Sequence, residues 1–255
     1  MPSLEDIALK ISGVKKVFPG IFRPVLQDID LILHPGDFCV LIGTNGSGKS
    51  TLMKILSGSL KADGGTLICN GSIAQVVQDI HRGTIPEMTL LENMVLGQLG
   101  LKSKPRLSFY QKRRGQIFQE LKKLGIGLEK YLDQSLETLS GGQRQAVATL
   151  MALYSKANIL LLDEFTSALD PKMATLLMEY TAREITKNNI TTLMVTHKME
   201  EALRYGNRLI MLWEGRIVMD RSGLSKKNLT KEELIEFFQT YNQQDPHPMT
   251  SKKTQ

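Results

Sequence analysis

The residues best able to do chemistry begin at Gly43, in the stretch "GTNGSGKS" that runs to Ser50 and on into Thr51. It fits G-x-x-x-x-G-K-[ST], with Gly43, Gly48, Lys49 and Ser50 in the fixed places. Its glycines let the backbone from Gly43 through Thr44, Asn45, Gly46 and Ser47 to Gly48 wrap a phosphate with its N–H groups. Lys49 brings a point charge to the β- and γ-oxygens, and the Ser50 hydroxyl can ligate Mg²⁺. An ion held there needs a second protein anchor, and the end of a buried strand can fix a carboxylate rigidly beside it. "ILLLDE" supplies one. Asp163 would bind the ion, usually through water, and Glu164 would face a water in line with the γ-phosphate and act as its general base.

A second helix end is also built for an anion. In "LSGGQ", Leu139 to Gln143, Ser140 and Gln143 read as a capping box, and Gly141 and Gly142 leave the remaining N–H donors sterically open. The phosphate cradle lies far upstream, so the local pattern leaves open which phosphate this end serves.

Several elements must position these residues. "VLQDIDLILHPGDFCVLIG" alternates from Leu26, turns at His34-Pro35-Gly36-Asp37 as in a hairpin, and becomes a buried strand, Phe38 to Ile42, that runs into the glycine loop and a helix. A second hairpin is predicted where "TLICN" and "SIAQVVQ" flank Asn70-Gly71. From about Thr84 to Tyr154 the pattern is helical, opening on a capping box at Thr89 and Glu92, and reads as an inserted helical subdomain. The α/β rhythm then resumes. Strand "ANILLLDE" is followed by a helix with Asp170 as cap and Pro171 as first residue, strand "TTLMVTH", another helix, and strand "RLIMLWEG". Such alternation predicts an α/β fold with a mostly parallel sheet covered on both faces. "TKEELIEFFQTYN" reads as a short amphipathic helix with Thr230 and Glu233 as its box, and the polar tail 242–255 is expected to be disordered, leaving 1–241 as a single domain.

Composition narrows the class. The 255 residues, 42% hydrophobic and 23% charged, can bury a full core. Runs such as Ile159 to Leu162 are too short to cross a bilayer, and no secretory signal opens the chain, which predicts a cytoplasmic protein. Cys39 and Cys69 lack metal-type spacing and are expected to be reduced thiols. The net charge of +6 is modest. Its densest patch, Lys102 to Arg114, reads as a solvated helix face in preference to a lipid or RNA contact.

The ordered set "GTNGSGKST", "VVQD", "LSGGQ", "LLLDE", "SALD" and "VTH" resembles the nucleotide-binding subunit of an ABC transporter, over about residues 5 to 220. The resemblance implies a P-loop NTPase core with an N-terminal antiparallel β subdomain, and ATP and Mg²⁺ as ligands. It implies that Gln78 is the lid glutamine reaching both Mg²⁺ and the attacking water, that His197 contacts the γ-phosphate, and that Asp170 crosses between subunits. Phe18, in "KKVFPG", matches the aromatic on which adenine stacks, with Phe22 close by. It also answers the question left by "LSGGQ": two copies meet head to tail, and Ser140, Gly141, Gly142 and Gln143 of one complete the phosphate site of the other.

Further partners implied are an integral membrane permease and, indirectly, a solute-binding protein, with no nucleic acid. The place implied is the cytoplasmic face of a bacterial plasma membrane. "LSGGQRQAVATLMALYSKANILLLDE" and "TTLMVTHKMEEALRYGNRLIMLWEGRI" look most like the ATPases of tryptophan/tyrosine-type importers. One departure is the Asn-Gly connection after "TLIC", shorter than is usual in that family and carrying no nucleotide ligand. The rival readings are an exporter or lipid-handling ABC system, a non-transport ABC ATPase acting on nucleic acid or ribosomes, and a P-loop kinase. The last would leave "LSGGQ" and "VTH" without a purpose.

Overall fold

Half-buried strands build one small sheet and mostly buried apolar strands a larger one. The computed structural model describes residues 7–20, 23–77, 83–99 and 107–244. A small antiparallel sheet contains β1 (Leu9–Lys16), β2 (Leu26–Leu33) and β4 (Gly64–Cys69) in the order β2-β1-β4. A larger sheet contains β3 (Phe38–Gly43), β5 (Ile73–Val76), β6 (Ile159–Asp163), β7 (Thr191–Val195), β8 (Arg208–Trp213) and β9 (Arg216–Ser222). Its order is β5-β6-β7-β3-β8-β9, parallel throughout except that β9 runs antiparallel to β8.

The central strand β3 is buried on both faces, which is why Phe38 to Ile42 reads as an unbroken apolar run. Successive side chains point to opposite faces and divide the core in two. Cys39, Leu41, Leu161, Leu193, Ile210 and Leu212 pack with α1 (Lys49–Leu56) and the small sheet's Leu9, Ile11, Leu26 and Leu33. Val40, Ile42, Leu160, Leu162, Met194 and Met211 pack on the opposite face with helices. Those are α2 (Leu90–Leu99), α3 (Leu107–Leu124), α4 (Gly141–Tyr154), α5 (Pro171–Lys187), α6 (Met199–Arg204) and, past the short α7 (Gly223–Lys227), which contributes nothing to this cluster, α8 (Lys231–Gln244).

Each predicted capping box forms. Thr89 N–H donates to Glu92 Oε2 (2.8 Å) while Glu92 N–H donates to Thr89 Oγ1 (3.2 Å), and the pairs Ser140/Gln143 and Thr230/Glu233 repeat the exchange. Asp170 caps α5 by accepting from Met173 N–H at 3.0 Å, with Pro171 first in the helix. Cys39 and Cys69 are both free thiols. Among the described residues no helix is long and apolar enough to cross a membrane. The tail expected to be disordered from 242 starts later, because α8 continues through 242–244, and the rest, 245–255, lies outside the described residues.

Neither predicted hairpin exists. β2 and β3 enter different sheets, and so do β4 and β5. A type I′ turn needs positive φ at both central residues, but only Gly71 has it (φ +136°). Instead, Asn70 N–H bonds to Ala8 O (2.9 Å) and its side-chain amide to Ile7 O (2.8 Å), which holds that end at the small sheet. Two residues on, Ser72 O accepts from Asn158 and Ile159 N–H at 3.0 and 3.1 Å, which joins the chain to β6. A Cβ on Gly71 would collide with the Asn158 side chain, so the glycine serves close approach at a crossover. Long-range strand pairing overrode the local turn preference.

Candidate nucleotide site

The phosphate cradle follows β3 and is shaped by what presses on it. A Cβ on Gly43 would strike the Leu212 carbonyl oxygen at the end of β8, and one on Gly48 (φ +105°) would lie 2.7 Å from Val25 O, at the entrance to β2. The loop is therefore wedged between the two sheets, where only glycine backbone fits. Gly215 N–H donates to Ser47 O at 3.0 Å, so the β8–β9 turn supports the loop from outside.

The cradle is ready for an anion. Gly48 gives α1 no side-chain cap, and the helical bonding starts with Leu52 N–H to Gly48 O (2.9 Å). The N–H groups of Lys49, Ser50 and Thr51 precede that bond and are the donors a helix N-terminus offers to a phosphate. Ser47 is 2% exposed, yet among the described residues its Oγ has no hydrogen-bond partner, a buried polar group that a ligand would satisfy. Lys49, also buried, donates to Gly43 O (2.9 Å) and Thr44 O (2.8 Å), and among the described residues one of its three donors is left over. Burial holds its ammonium below the ordinary lysine range, while the charges of Glu164 and Asp163 oppose that shift.

The carboxylates arrive at the same end of the sheet. Asp163 closes β6, and burial first, then the charge of Glu164, pushes its carboxyl above the usual range, with Lys49 and Lys54 pulling it back. Two adjacent acids sharing one buried ammonium leave an excess of negative charge. Asp163 and the Ser50 hydroxyl are hard oxygen donors of the kind Mg²⁺ takes, so the residues present fit that ion. Glu164 sits in left-handed backbone (φ +46°), its N–H bonded to Val195 O at 3.2 Å, and its Oε2 lies 3.6 Å from His197 Nδ1. Exposed His197 follows β7 and is framed by groups the sequence did not single out. Thr196 Oγ1 donates to Glu201 Oε2 (2.6 Å) and accepts from Lys198 N–H (3.1 Å), while Lys198 Nζ reaches Glu201 Oε1 (2.9 Å). Of these missed residues, Gly215 had a readable signal: Glu214-Gly215 in "LWEGRI" is a two-residue turn with φ +42° and +74°.

Lys49, Asp163, Glu164 and His197 thus come together on three strand ends. Phe18 reaches the same region indirectly. Its half-buried ring lies 5.4 Å from Lys16 Nζ, and Val25 N–H bonds to Lys16 O (2.7 Å), tying this end of β1 to the residue beside Gly48. Gln78 lies outside the described residues; its nearest described neighbour, Val77, follows Val76, which pairs with Leu162 one residue before Asp163. Ser140, Gly141, Gly142 and Gln143 stand apart. Among the described residues no hydrogen bond or ion pair joins them to the cradle, and Gly142 packs toward Met173 and Leu169 at the start of α5, beside Asp170.

A wedged phosphate loop, a strand-end acid pair and a capped glycine helix on one α/β scaffold define a nucleotide-hydrolysing cassette, and the chain belongs to the ABC transporter family, whose family model matches residues 26–167. It is an ABC ATPase. It is 36% identical over 247 residues to a tyrosine transport ATP-binding protein of Clostridioides difficile, covering 91% of this chain and 98% of that one. It is 34% identical over 235 residues to the phosphonates import ATP-binding protein PhnC of Shigella dysenteriae, covering 84% and 88%. Among solved structures, the dimeric post-hydrolysis form of the ATP-binding cassette MJ0796, bound to ADP and Pi, superposes with a TM-score of 0.72 at 26% identity, over 84% of this chain and 98% of that chain.

Proposed function

We propose that two copies of this chain bind ATP and Mg²⁺ between them, head to tail, and that hydrolysis energises import of an amino-acid-class solute through a separate membrane permease. The observation that carries this reading is the Glu164–His197 pair, 3.6 Å apart and next to Asp163 and Lys49 at the mouth of the cradle.

In the reaction, the Glu164 carboxylate accepts a proton from water as its oxygen bonds to the γ-phosphorus and the bond to the β-phosphate bridging oxygen breaks, giving ADP and phosphate. Lys49 and the α1 N–H groups hold the β- and γ-oxygens, and His197 orients the γ-phosphate while Glu164 fixes its ring. Ser50, Asp163 and Gln78 would hold Mg²⁺, which when bound neutralises charge on the phosphate oxygens. Phe18 would stack on the adenine. Ser140, Gly141, Gly142 and Gln143, with Asp170, would complete the site of the other copy. That no hydrogen bond or ion pair joins them to the cradle of their own chain among the described residues supports this two-copy arrangement, as does the dimeric state of the MJ0796 cassette with ADP and Pi.

Import and an amino-acid solute are supported by the tyrosine-transport relative, which matches over 98% of its own length, and import also by the phosphonate importer. The working place is then the cytoplasmic face of the membrane, where a permease docks. To test the sandwich, Glu164→Gln is purified as the full chain and run on size exclusion with light scattering. With Mg²⁺ and ATP it should elute as a dimer, without nucleotide as a monomer, and turnover should fall by roughly 10²–10⁴. A strictly monomeric ATP-loaded variant would sink the reading. Co-purification with a multi-span permease, and uptake of a labelled amino acid by the reconstituted pair, tests import.

A further inference from the structure

Beyond the signature stretch, one turn into α4, Gln145 is 2% exposed, and its side-chain Nε2 donates to Val77 O at 3.1 Å. Val77 immediately precedes Gln78 in the chain. We infer that Gln145 is a positioning residue of the hydrolysis reaction, a tie between the signature helix and the main chain that delivers Gln78. This rests on the roles proposed above for Gln78 and for the start of α4.

Packing alone does not explain an amide here. Gln145 Oε1 is also buried and has no hydrogen-bond partner among the described residues. A buried, unsatisfied acceptor costs about 1–3 kcal/mol, more than one ordinary hydrogen bond returns. Leucine has a similar volume and would fill the space without that cost. What leucine could not supply is the N–H that reaches Val77 O. The link spans two elements that the reaction must coordinate. α4 begins at Ser140–Gln143, which engages the phosphate of the other copy, and it packs on β5, whose pairing with β6 sets Val76 beside Leu162 at the level of the acid pair. A shift of α4 is therefore passed to Val77 through a bond to its carbonyl, one peptide away from Gln78.

The same physics makes the role separable from stability. Gln145→Leu removes the unsatisfied Gln145 Oε1 but leaves Val77 O without that donor, so one orphan acceptor replaces another and the stability of the fold should change little. In the full chain, Gln145→Leu is expected to lower kcat at least tenfold with KM for ATP within twofold of the parent and an almost unchanged melting temperature. Hydrogen exchange of peptides spanning 77–83 should accelerate in Gln145→Leu while peptides spanning 159–163 stay protected. A double-mutant cycle decides the pathway: if Gln145 acts through Gln78, adding Gln145→Leu to Gln78→Ala lowers kcat no further than Gln78→Ala alone. Losses that multiply, or a normal kcat in Gln145→Leu beside a slow Gln78→Ala, overturn the inference and leave the reading of Gln78 intact. A normal kcat in Gln78→Ala overturns that reading itself.

Discussion

Lys49 already uses two of its three donors on the carbonyls of Gly43 and Thr44, so its ammonium is held in place before any phosphate arrives. Removing it takes away both the point charge and a brace of the loop. Lys49→Ala should weaken ATP at least a hundredfold in a fluorescent-nucleotide titration, and retained submicromolar affinity would contradict the cradle. Asp163 carries the opposite burden. Its folded carboxyl is raised above the ordinary value of 3.8, so the folded state holds the proton more tightly than the unfolded state does. Any stabilisation from this group is complete below pH 3.8 and is lost as pH rises through the raised value, which means that ionised Asp163 costs stability at pH 7. Asp163→Asn should therefore raise the melting temperature of the nucleotide-free protein at pH 7, lose that advantage near pH 3, and be inactive. Equal melting temperatures at pH 7 would remove the strain argument. The positions of Lys49 and Asp163 at strand ends of one sheet were legible in the sequence because each is fixed by its immediate neighbours. Thr196 with Glu201, and Gln145 with Val77, were not, because those pairings exist only after α6 and α4 have packed.

At the level of elements, capping chemistry transferred from sequence to structure and turn chemistry did not. The Ser140–Gln143 box satisfies two orphan groups of α4 by a short-range exchange that no distant partner disturbs. Ser140→Ala should cost about 1 kcal/mol in urea unfolding, in addition to any loss of turnover. An unchanged midpoint would show that the cap is energetically idle. Asn70-Gly71 is equally local in appearance, yet β4 and β5 were claimed by β1 and β6, and the dipeptide became a crossover. Strand partners depend on which apolar faces meet, and "TLIC" and "IAQV" carry no mark of that choice. The antiparallel β9 was missing from the sequence reading for a similar reason. Its residues are largely exposed, so it lacks a strong apolar alternation.

Over the whole molecule, the basic stretch ending at Arg114 is partly neutralised by its own surroundings. Arg114 makes a paired contact with Asp133 at 2.5 and 2.6 Å, and Arg113 donates to Gln98 Oε1 at 3.1 Å. Replacing Lys112, Arg113 and Arg114 together with glutamine should leave sedimentation with phosphatidylglycerol vesicles unchanged. A severalfold loss would identify a lipid-facing patch instead. The largest consequence comes from where the cradle lies. Gly43 touches the end of β8 and Gly48 touches Val25 at the entrance to β2, while the small sheet shares one apolar cluster with a face of the large one. Nucleotide seated there is a rivet through two plates: at a hundredfold excess over its dissociation constant it adds about 2.7 kcal/mol to the folded state. Starvation for ATP would thus slacken the scaffold as well as halt the motor.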